Sequence, residues 1–83
     1  MDTKNLKFSN HLIERLRERN IKKEWLLDTI QHPHDKIILA EDETHFYKII
    51  AEYKNKWLKV VVNQMNSVVV TAYFDRNKKG KVL

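Results

Sequence analysis

The chain has 83 residues, of which 42% are hydrophobic and 33% are charged. Such a chain has room for one hydrophobic core and contains no apolar run of the roughly 20 residues that a membrane-spanning helix needs, so repeat arrays and membrane proteins are excluded. The absence of cysteine excludes disulfides, thiolate nucleophiles and zinc knuckles. Without a secretory signal at its start, the sequence predicts a single cytoplasmic domain over residues 1–83.

The formal net charge of +5 is unevenly distributed along the chain. Residues 1–23 carry a net charge of +4, residues 24–52 carry −5 and residues 53–83 carry +6. A fold that brought the two basic ends together would present them to a polyanion, whose phosphates basic residues neutralise. Ordinary solubility explains a charge of this size equally well, and residues 76–83 also read as a basic, solvated tail.

Two helices are predicted at the start of the chain. The first covers about residues 11–20, with Ser9 as a cap and Asn20 as the stop, because asparagine tolerates the left-handed conformation at a helix end. The second covers about residues 22–31 and is closed by Pro33. Helical spacing predicts that the inward side chains are Leu12, Ile13, Leu16, Trp25, Leu26, Leu27 and Ile30.

From Asp35 onward the hydrophobic period changes to two, which predicts β-strands. Short polar turns separate them, so consecutive strands should pair antiparallel. We expect an α+β fold in which two N-terminal helices pack on a twisted four-stranded antiparallel sheet, with a short extra strand near Phe8 as an option. The predicted strands are residues 36–41, 44–53, 57–64 and 68–74.

Alternation along these strands predicts two different sheet faces. One face is aliphatic and should receive the helices: Leu58, Val60, Val62, Val68, Val70 and Ala72, continued by His45, Tyr47, Ile49, Ala51 and Tyr53. The opposite face mixes cations, hydroxyls and rings, a composition that suits bases and phosphates but also an ordinary solvated sheet: Phe46, Lys48, Ile50, Lys59, Thr71 and Tyr73.

The most distinctive local pattern is His11, Arg15 and Arg19, spaced four residues apart on one side of the first helix. Three potentially cationic groups in one stripe favour a phosphate as their partner. Alternatively, the two arginines pair with the acidic middle of the chain, around residues 41–43, and His11 packs. His11 is also the best general acid or base in the sequence, because imidazole titrates near neutrality.

Other residues are weaker indications of chemistry. Lys48 is a point charge on a strand that could stabilise a phosphorane, and Trp57 is either a core residue or a partner contact. His32 and His34 flank Pro33, a thin ligand set, so we expect no metal and no cofactor. No motif for nucleotide hydrolysis or acyl transfer is present. RNA cleavage by the RNA's own 2′-hydroxyl remains, since it needs only a base, an acid and positioned cations.

The order of motifs resembles a known group of proteins. Residues 8–21 read F-S-x-H-x-x-x-R-x-x-x-R-x-I, and F-Y-K at residues 46–48 and V-V-V-T-A-Y at residues 68–73 follow. This order is similar to that of the RelE/ParE-like superfamily, close to the BrnT-type ribonuclease toxins and to relatives known only as a domain of unknown function. The resemblance covers about residues 8–76 and implies the same two-helix, antiparallel-sheet fold.

The resemblance also implies a function, the toxin of a type II toxin-antitoxin pair that cleaves mRNA, free or on the ribosome, and is neutralised by an antitoxin. It implies that His11 is the general base or acid, that Arg15 and Lys48 stabilise the transition state, and that Tyr73 stacks or relays a proton. The predicted substrate-binding residues are Arg19, Lys59, Thr71 and Arg76. A non-catalytic module that binds nucleic acid or a protein is the alternative function, and a homodimer formed through a strand edge is a third reading.

Overall fold

The computed structural model describes residues 3–78 and confirms the predicted α+β fold. Helices α1 (Asn10–Glu18) and α2 (Lys23–Gln31) precede strands β1 (Asp35–Ala40), β2 (Glu43–Ile50), β3 (Lys56–Asn63) and β4 (Val68–Phe74). The strands form one antiparallel sheet in the order β1-β2-β3-β4, so β1 and β4 are its two edges. Of the predicted tail at residues 76–83, residues 79–83 lie outside the described residues.

Local sequence signals set the ends of α1. The Ser9 hydroxyl accepts a hydrogen bond from the Leu12 N–H at 3.0 Å, which caps the first turn. Asn20 adopts a left-handed φ of 57°, and the Ile21 N–H then donates to the Leu16 carbonyl at 2.9 Å. The chain therefore reverses immediately after α1 and enters α2. Within residues 3–78 no helix has the length and apolar composition needed to cross a membrane.

The hydrophobic core lies between the helices and one sheet face, with α1 over β4 and α2 over β2 and β3. Ile13, predicted to point inward, is exposed. At one end the Tyr53 and Phe74 rings stack with centroids 4.3 Å apart, and Trp25 contacts both. The largest side chains that are almost completely buried are those of Leu26, Thr29, Ile30, Thr44, Phe46, Leu58, Val60 and Val62.

The predicted face assignment of β2 is wrong by one residue. Phe46 pairs with Val60 and is buried in the core, whereas Tyr47 pairs with Lys59 on the opposite face. In β2 the even-numbered and the odd-numbered residues both include aromatic and β-branched side chains. The alternation alone therefore did not show which set faces the core. The strand also ends at Ile50 rather than residue 53. Ala51–Tyr53 form a 3₁₀ turn, followed by left-handed residues that reverse the chain.

A second correction concerns β4, where the pairing with β3 shifts by one residue between Val61 and Val62. Because of this bulge, Val70 has no paired residue in β3 and is 56% exposed. Val69, rather than Val70, faces the core. The expected extra strand near Phe8 is a single parallel bridge between Lys7 and Val68. The Lys7 N–H donates to the Ser67 carbonyl at 2.7 Å, so this bridge covers only the start of the β4 edge.

Candidate functional site

The predicted stripe on α1 exists, but Arg19 has different partners from His11 and Arg15. Arg15 Nε donates to His11 Nε2 at 3.4 Å, and an Arg15 guanidinium nitrogen lies 3.4 Å from Glu18. His11 and Arg15 are exposed, and Arg15 pairs within its own helix rather than with the acidic middle of the chain. The alternative that the arginines pair with residues 41–43 while His11 packs is therefore wrong.

The Arg19 side chain contacts strand β4 of the sheet. As the C-terminal cap of α1, it donates from one guanidinium nitrogen to the Ala72 carbonyl at 2.9 Å and to the Thr71 hydroxyl at 3.5 Å. These bonds connect α1 to the open edge of β4. The remaining guanidinium donors are exposed, so Arg19 is a cation that the sheet edge holds in one place.

Lys48 does not join the other predicted site residues. It lies on the core-facing side of β2, where its ammonium pairs with Asp28 of α2 at 2.7 Å. This placement follows from the corrected register of β2, because a residue beside Phe46 and Ile50 in the alternation must face the helices. The structure thus contradicts the expected placement of Lys48 on one face with Lys59 and Tyr73.

The opposite sheet face carries a row of rings and cations at the level of Lys59. The Lys59 ammonium lies 5.8 Å from the centre of the Tyr47 ring and 5.4 Å from that of Tyr73. Partial burial lowers the pKa of Lys59, but its hydrogen bond to the Tyr73 hydroxyl and its charge interactions with Tyr47 and Tyr73 outweigh burial and raise the pKa above its ordinary value. Lys59 is therefore a fixed cation on this face.

The chain after β4 bends back over the same face. The Asp75 N–H donates to the Trp57 carbonyl at 2.9 Å. The Lys78 ammonium then lies 4.7 Å from the centre of the Tyr47 ring and 5.3 Å from that of Trp57, and it pairs with Asp35 of β1. That hydrogen bond holds the pKa of Asp35 below its ordinary value, and burial offsets this only in part. Residues 75–78 thus cross the ends of β3 and β2.

A cleft of about 650 Å³ lies where β4 ends, between the last turn of α1, the turn before β3 and residues 75–78. We call it the β4 groove. Four cations and two carboxylates line it together with aromatic rings from both sheet faces, and the open β4 edge separates the two faces. Its lining residues are Glu18, Arg19, Asn20, Tyr53, Asn55, Lys56, Trp57, Tyr73, Phe74, Asp75, Arg76 and Lys78.

The β4 groove contains three of the predicted site residues: Arg19, Tyr73 and Arg76. Thr71 and Lys59 adjoin it through their contacts with Arg19 and Tyr73. His11 and Arg15 do not line it. Since His11 precedes Arg19 by eight residues, it lies about 12 Å further along α1.

Sequence reasoning missed several groove residues, most clearly Glu18, Lys56 and Asp75. The α1 stripe of His11, Arg15 and Arg19 does not include Glu18, and Lys56 lies in the turn between two predicted strands. Trp57, which the sequence left between core and partner contact, is half-buried and lines the groove. No signal within a single segment could have found them, because the groove joins three segments that are distant in sequence.

The histidines outside α1 have structural partners. His34 Nδ1 accepts a hydrogen bond from the Ile49 N–H at 3.0 Å, and His45 Nε2 lies 2.6 Å from a Glu43 carboxylate oxygen. Among residues 3–78, no three His, Asp or Glu side chains are close enough to hold a metal ion together. What the β4 groove can do is bind an anion and a flat ring at once, because guanidinium and ammonium groups line it together with half-buried aromatic rings.

Comparison with known proteins identifies a family and nothing more specific. The family model described as Domain of unknown function (DUF4258) matches residues 8–74, which includes α1, α2 and all four strands. No curated protein and no solved structure matches the chain. Because the family model covers most of the sequence, the chain belongs to the DUF4258 family.

Proposed function

We propose that this chain is the toxin of a type II toxin-antitoxin pair, a metal-independent endoribonuclease that acts on mRNA in the cytoplasm and is neutralised by an antitoxin protein. The observation that carries the proposal is the β4 groove, which the rings of Trp57 and Tyr73 line together with four cations, Arg19, Lys56, Arg76 and Lys78. The order of motifs shared with the BrnT-type toxins supports the same function.

The groove suits single-stranded RNA. Its guanidinium and ammonium groups can neutralise successive phosphates, which releases counterions and makes binding salt-dependent. Aromatic side chains beside such cations stack on bases without selecting their sequence, each stack contributing about 1–3 kcal/mol. Arg19 is the best placed phosphate ligand, because its bonds to Ala72 and Thr71 fix the guanidinium before RNA arrives.

Cleavage would use the RNA's own 2′-hydroxyl as the nucleophile. Its oxygen attacks the adjacent phosphorus, the bond from phosphorus to the 5′-oxygen breaks, and the products are a 2′,3′-cyclic phosphate and a 5′-hydroxyl. A base takes the 2′ proton and an acid returns one to the leaving oxygen. Within the groove, Glu18 offers the carboxylate and Tyr73 the hydroxyl, while Arg19 and Arg76 stabilise the pentavalent phosphorus.

His11 and Arg15 extend this surface along α1, where a longer RNA would pass them. In that arrangement His11 and Glu18 are the two candidates for the base that takes the 2′ proton. The alternative function, binding without cleavage, is favoured by one observation: His11 lies outside the β4 groove. Cleavage by the wild type separates the two functions, and variants of His11 and Glu18 then show which residue is the base.

The test is inducible expression in a bacterial host, with growth and newly formed RNA ends followed for the wild type, Arg19→Gln, Glu18→Gln and His11→Ala. Arg17→Gln is the matched control, because Arg17 is an exposed arginine of α1 outside the groove. We expect arrest and cleavage from the wild type and from Arg17→Gln, and neither from Arg19→Gln. Loss of cleavage in Glu18→Gln or His11→Ala identifies the base.

The purified chain provides the second part of the test. Binding of a fluorescent single-stranded RNA that falls steeply with salt, without any cleaved product, would establish the binding module instead of the enzyme. A folded wild-type chain that neither binds RNA nor arrests growth would refute the proposed function.

A further inference from the structure

A row of side chains crosses the opposite sheet face, the face away from the helices, from one edge of the sheet to the other. Asp35 of β1 pairs with Tyr47 of β2. Tyr47 pairs with Lys59 of β3, which in turn pairs with Tyr73 of β4. Residues paired directly across neighbouring strands share one face of a sheet. Since neighbouring strands are about 4.8 Å apart, Asp35 lies about 14 Å from Tyr73, and it does not line the β4 groove.

The chain that follows β4 returns across this row. The Asp75 N–H donates to the Trp57 carbonyl at 2.9 Å, and the Asp75 carboxylate accepts a hydrogen bond from the Asn77 N–H at 2.8 Å. These two bonds turn the chain back over the sheet. The Lys78 ammonium then lies over the Trp57 ring and pairs with the carboxylate of Asp35. A residue at the β1 edge thus contacts the segment that leaves the β4 edge.

Residues 75–78 form one wall of the β4 groove, to which they contribute Asp75, Arg76 and Lys78. The hydrogen bond from Asp75 to β3 holds the start of this segment. Its end is held by Lys78, through contacts with two rings and with the Asp35 carboxylate. Arg76 lies between these two attachment points, so its position in the groove depends on both.

We propose that Asp35 is a positioning residue for the β4 groove. Its carboxylate holds Lys78, and through Lys78 it fixes residues 75–78, with Arg76, against the groove before RNA binds. This inference rests on the proposed function, because it assigns Asp35 to RNA binding by the same groove. A segment that is free in the unbound protein must be ordered when RNA binds, and the conformational entropy lost in that step lowers the affinity.

The direction of the effect separates this role from simple electrostatics. The Asp35 carboxylate lies on a face rich in cations, so its negative charge by itself opposes the binding of RNA phosphates. Removal of the charge should tighten binding if charge alone matters, and weaken it if the carboxylate positions residues 75–78. Asp42 provides the matched control for charge, because it is an exposed carboxylate in the turn after β1 and does not line the groove.

Binding of a fluorescent single-stranded RNA to the full chain tests the proposal. Asp35→Asn should raise the dissociation constant about 5-fold, whereas Asp42→Asn should leave it unchanged or slightly lower. Asp35→Glu keeps a carboxylate and should stay within about 2-fold of the wild type. In an Arg76→Gln chain, Asp35→Asn should change the dissociation constant by less than about 2-fold, because the residue that it positions is gone. A general loss of folded protein would instead weaken binding by the same factor in both backgrounds.

Hydrogen exchange measures the anchoring without RNA. In Asp35→Asn the amides of Asp75 and Asn77 should exchange about 5-fold faster relative to that of Val60 in the middle of β3. An unchanged relative rate overturns the proposal. RNA binding by the wild type that Asp35→Asn leaves unchanged or tightens also overturns it, and the proposed function then still stands. A folded wild type that binds no RNA refutes the proposed function itself, and the positioning role with it.

Discussion

Replacing Lys48 with methionine distinguishes the arrangement in the structure from the role that the sequence resemblance implies. Lys48 is 17% exposed and its ammonium lies 2.7 Å from Asp28, which is 47% exposed. Methionine keeps the length of the aliphatic stem, so the substitution removes the ion pair with little change in packing. Asp28 remains partly solvated, so it is not left as a buried, unpaired charge.

The expected loss of stability is small. A half-exposed ion pair contributes about 0.5–1 kcal/mol, and in a domain of this size each 1 kcal/mol changes the melting temperature by about 4–8 °C. Lys48→Met should therefore lower the Tm by about 2–8 °C. A double-mutant cycle with Asp28→Asn should recover a coupling energy of about 0.5 kcal/mol between the two residues.

RNA binding and cleavage should be unchanged in the same variant, because Lys48 faces α2 and does not line the β4 groove. Lys56→Met is the contrasting substitution, since Lys56 lines the groove and is exposed, and its ammonium lies 5.5 Å from the centre of the Tyr53 ring. It should weaken RNA binding and leave the Tm within about 2 °C of the wild type. Loss of cleavage in Lys48→Met with a native Tm would refute the placement of Lys48 as a structural residue.

Three further predictions concern stability, each measured by urea unfolding. Ser9→Ala removes the cap of α1 and should cost about 1 kcal/mol; an unchanged midpoint would contradict this helix start. Phe46→Ala should cost about 3–5 kcal/mol, because Phe46 is fully buried, whereas Ile49→Ala on the other face of β2 should cost clearly less. Lys78 keeps the pKa of Asp35 below its ordinary value, so this pair stabilises the fold above about pH 4 and the contribution is lost as the pH falls through the folded pKa. The stability difference between wild type and Asp35→Asn should accordingly be largest near neutral pH and decrease as the pH is lowered; a difference that does not change with pH would contradict the role of the ion pair.

Elements that depend on neighbouring residues could be predicted from the sequence. The cap at Ser9, the stop at Asn20 and the break at Pro33 each act within one turn of the chain, and the structure confirms the two helices that they delimit. The four strands and their antiparallel order followed for the same reason, because each connection is too short for a crossover.

The candidate site could not be predicted in the same way, because its residues come from segments that are distant in the sequence. Arg19 was predicted to bind substrate and does line the β4 groove, but its bonds to the β4 edge could not be read from the spacing of His11, Arg15 and Arg19. The aromatic side of the groove is formed where Trp57 meets the chain after β4, through the hydrogen bond from Asp75. This contact joins residues 18 positions apart and continues the β3–β4 pairing beyond Phe74.

The sequence left open which side chains of β2 face the core. Ion pairing and packing both favour the observed arrangement. With the opposite register, Lys48 would share a face with Lys59 and lie near Lys78, so three ammonium groups would meet while Asp28 lost its partner. The observed register buries Phe46 against Val60 and brings Lys48 to Asp28, leaving Tyr47 between Lys59 and Lys78. Each ammonium group then contacts a carboxylate or a ring face. The same one-residue choice therefore separates a lysine that stabilises the fold from the cations beside the β4 groove.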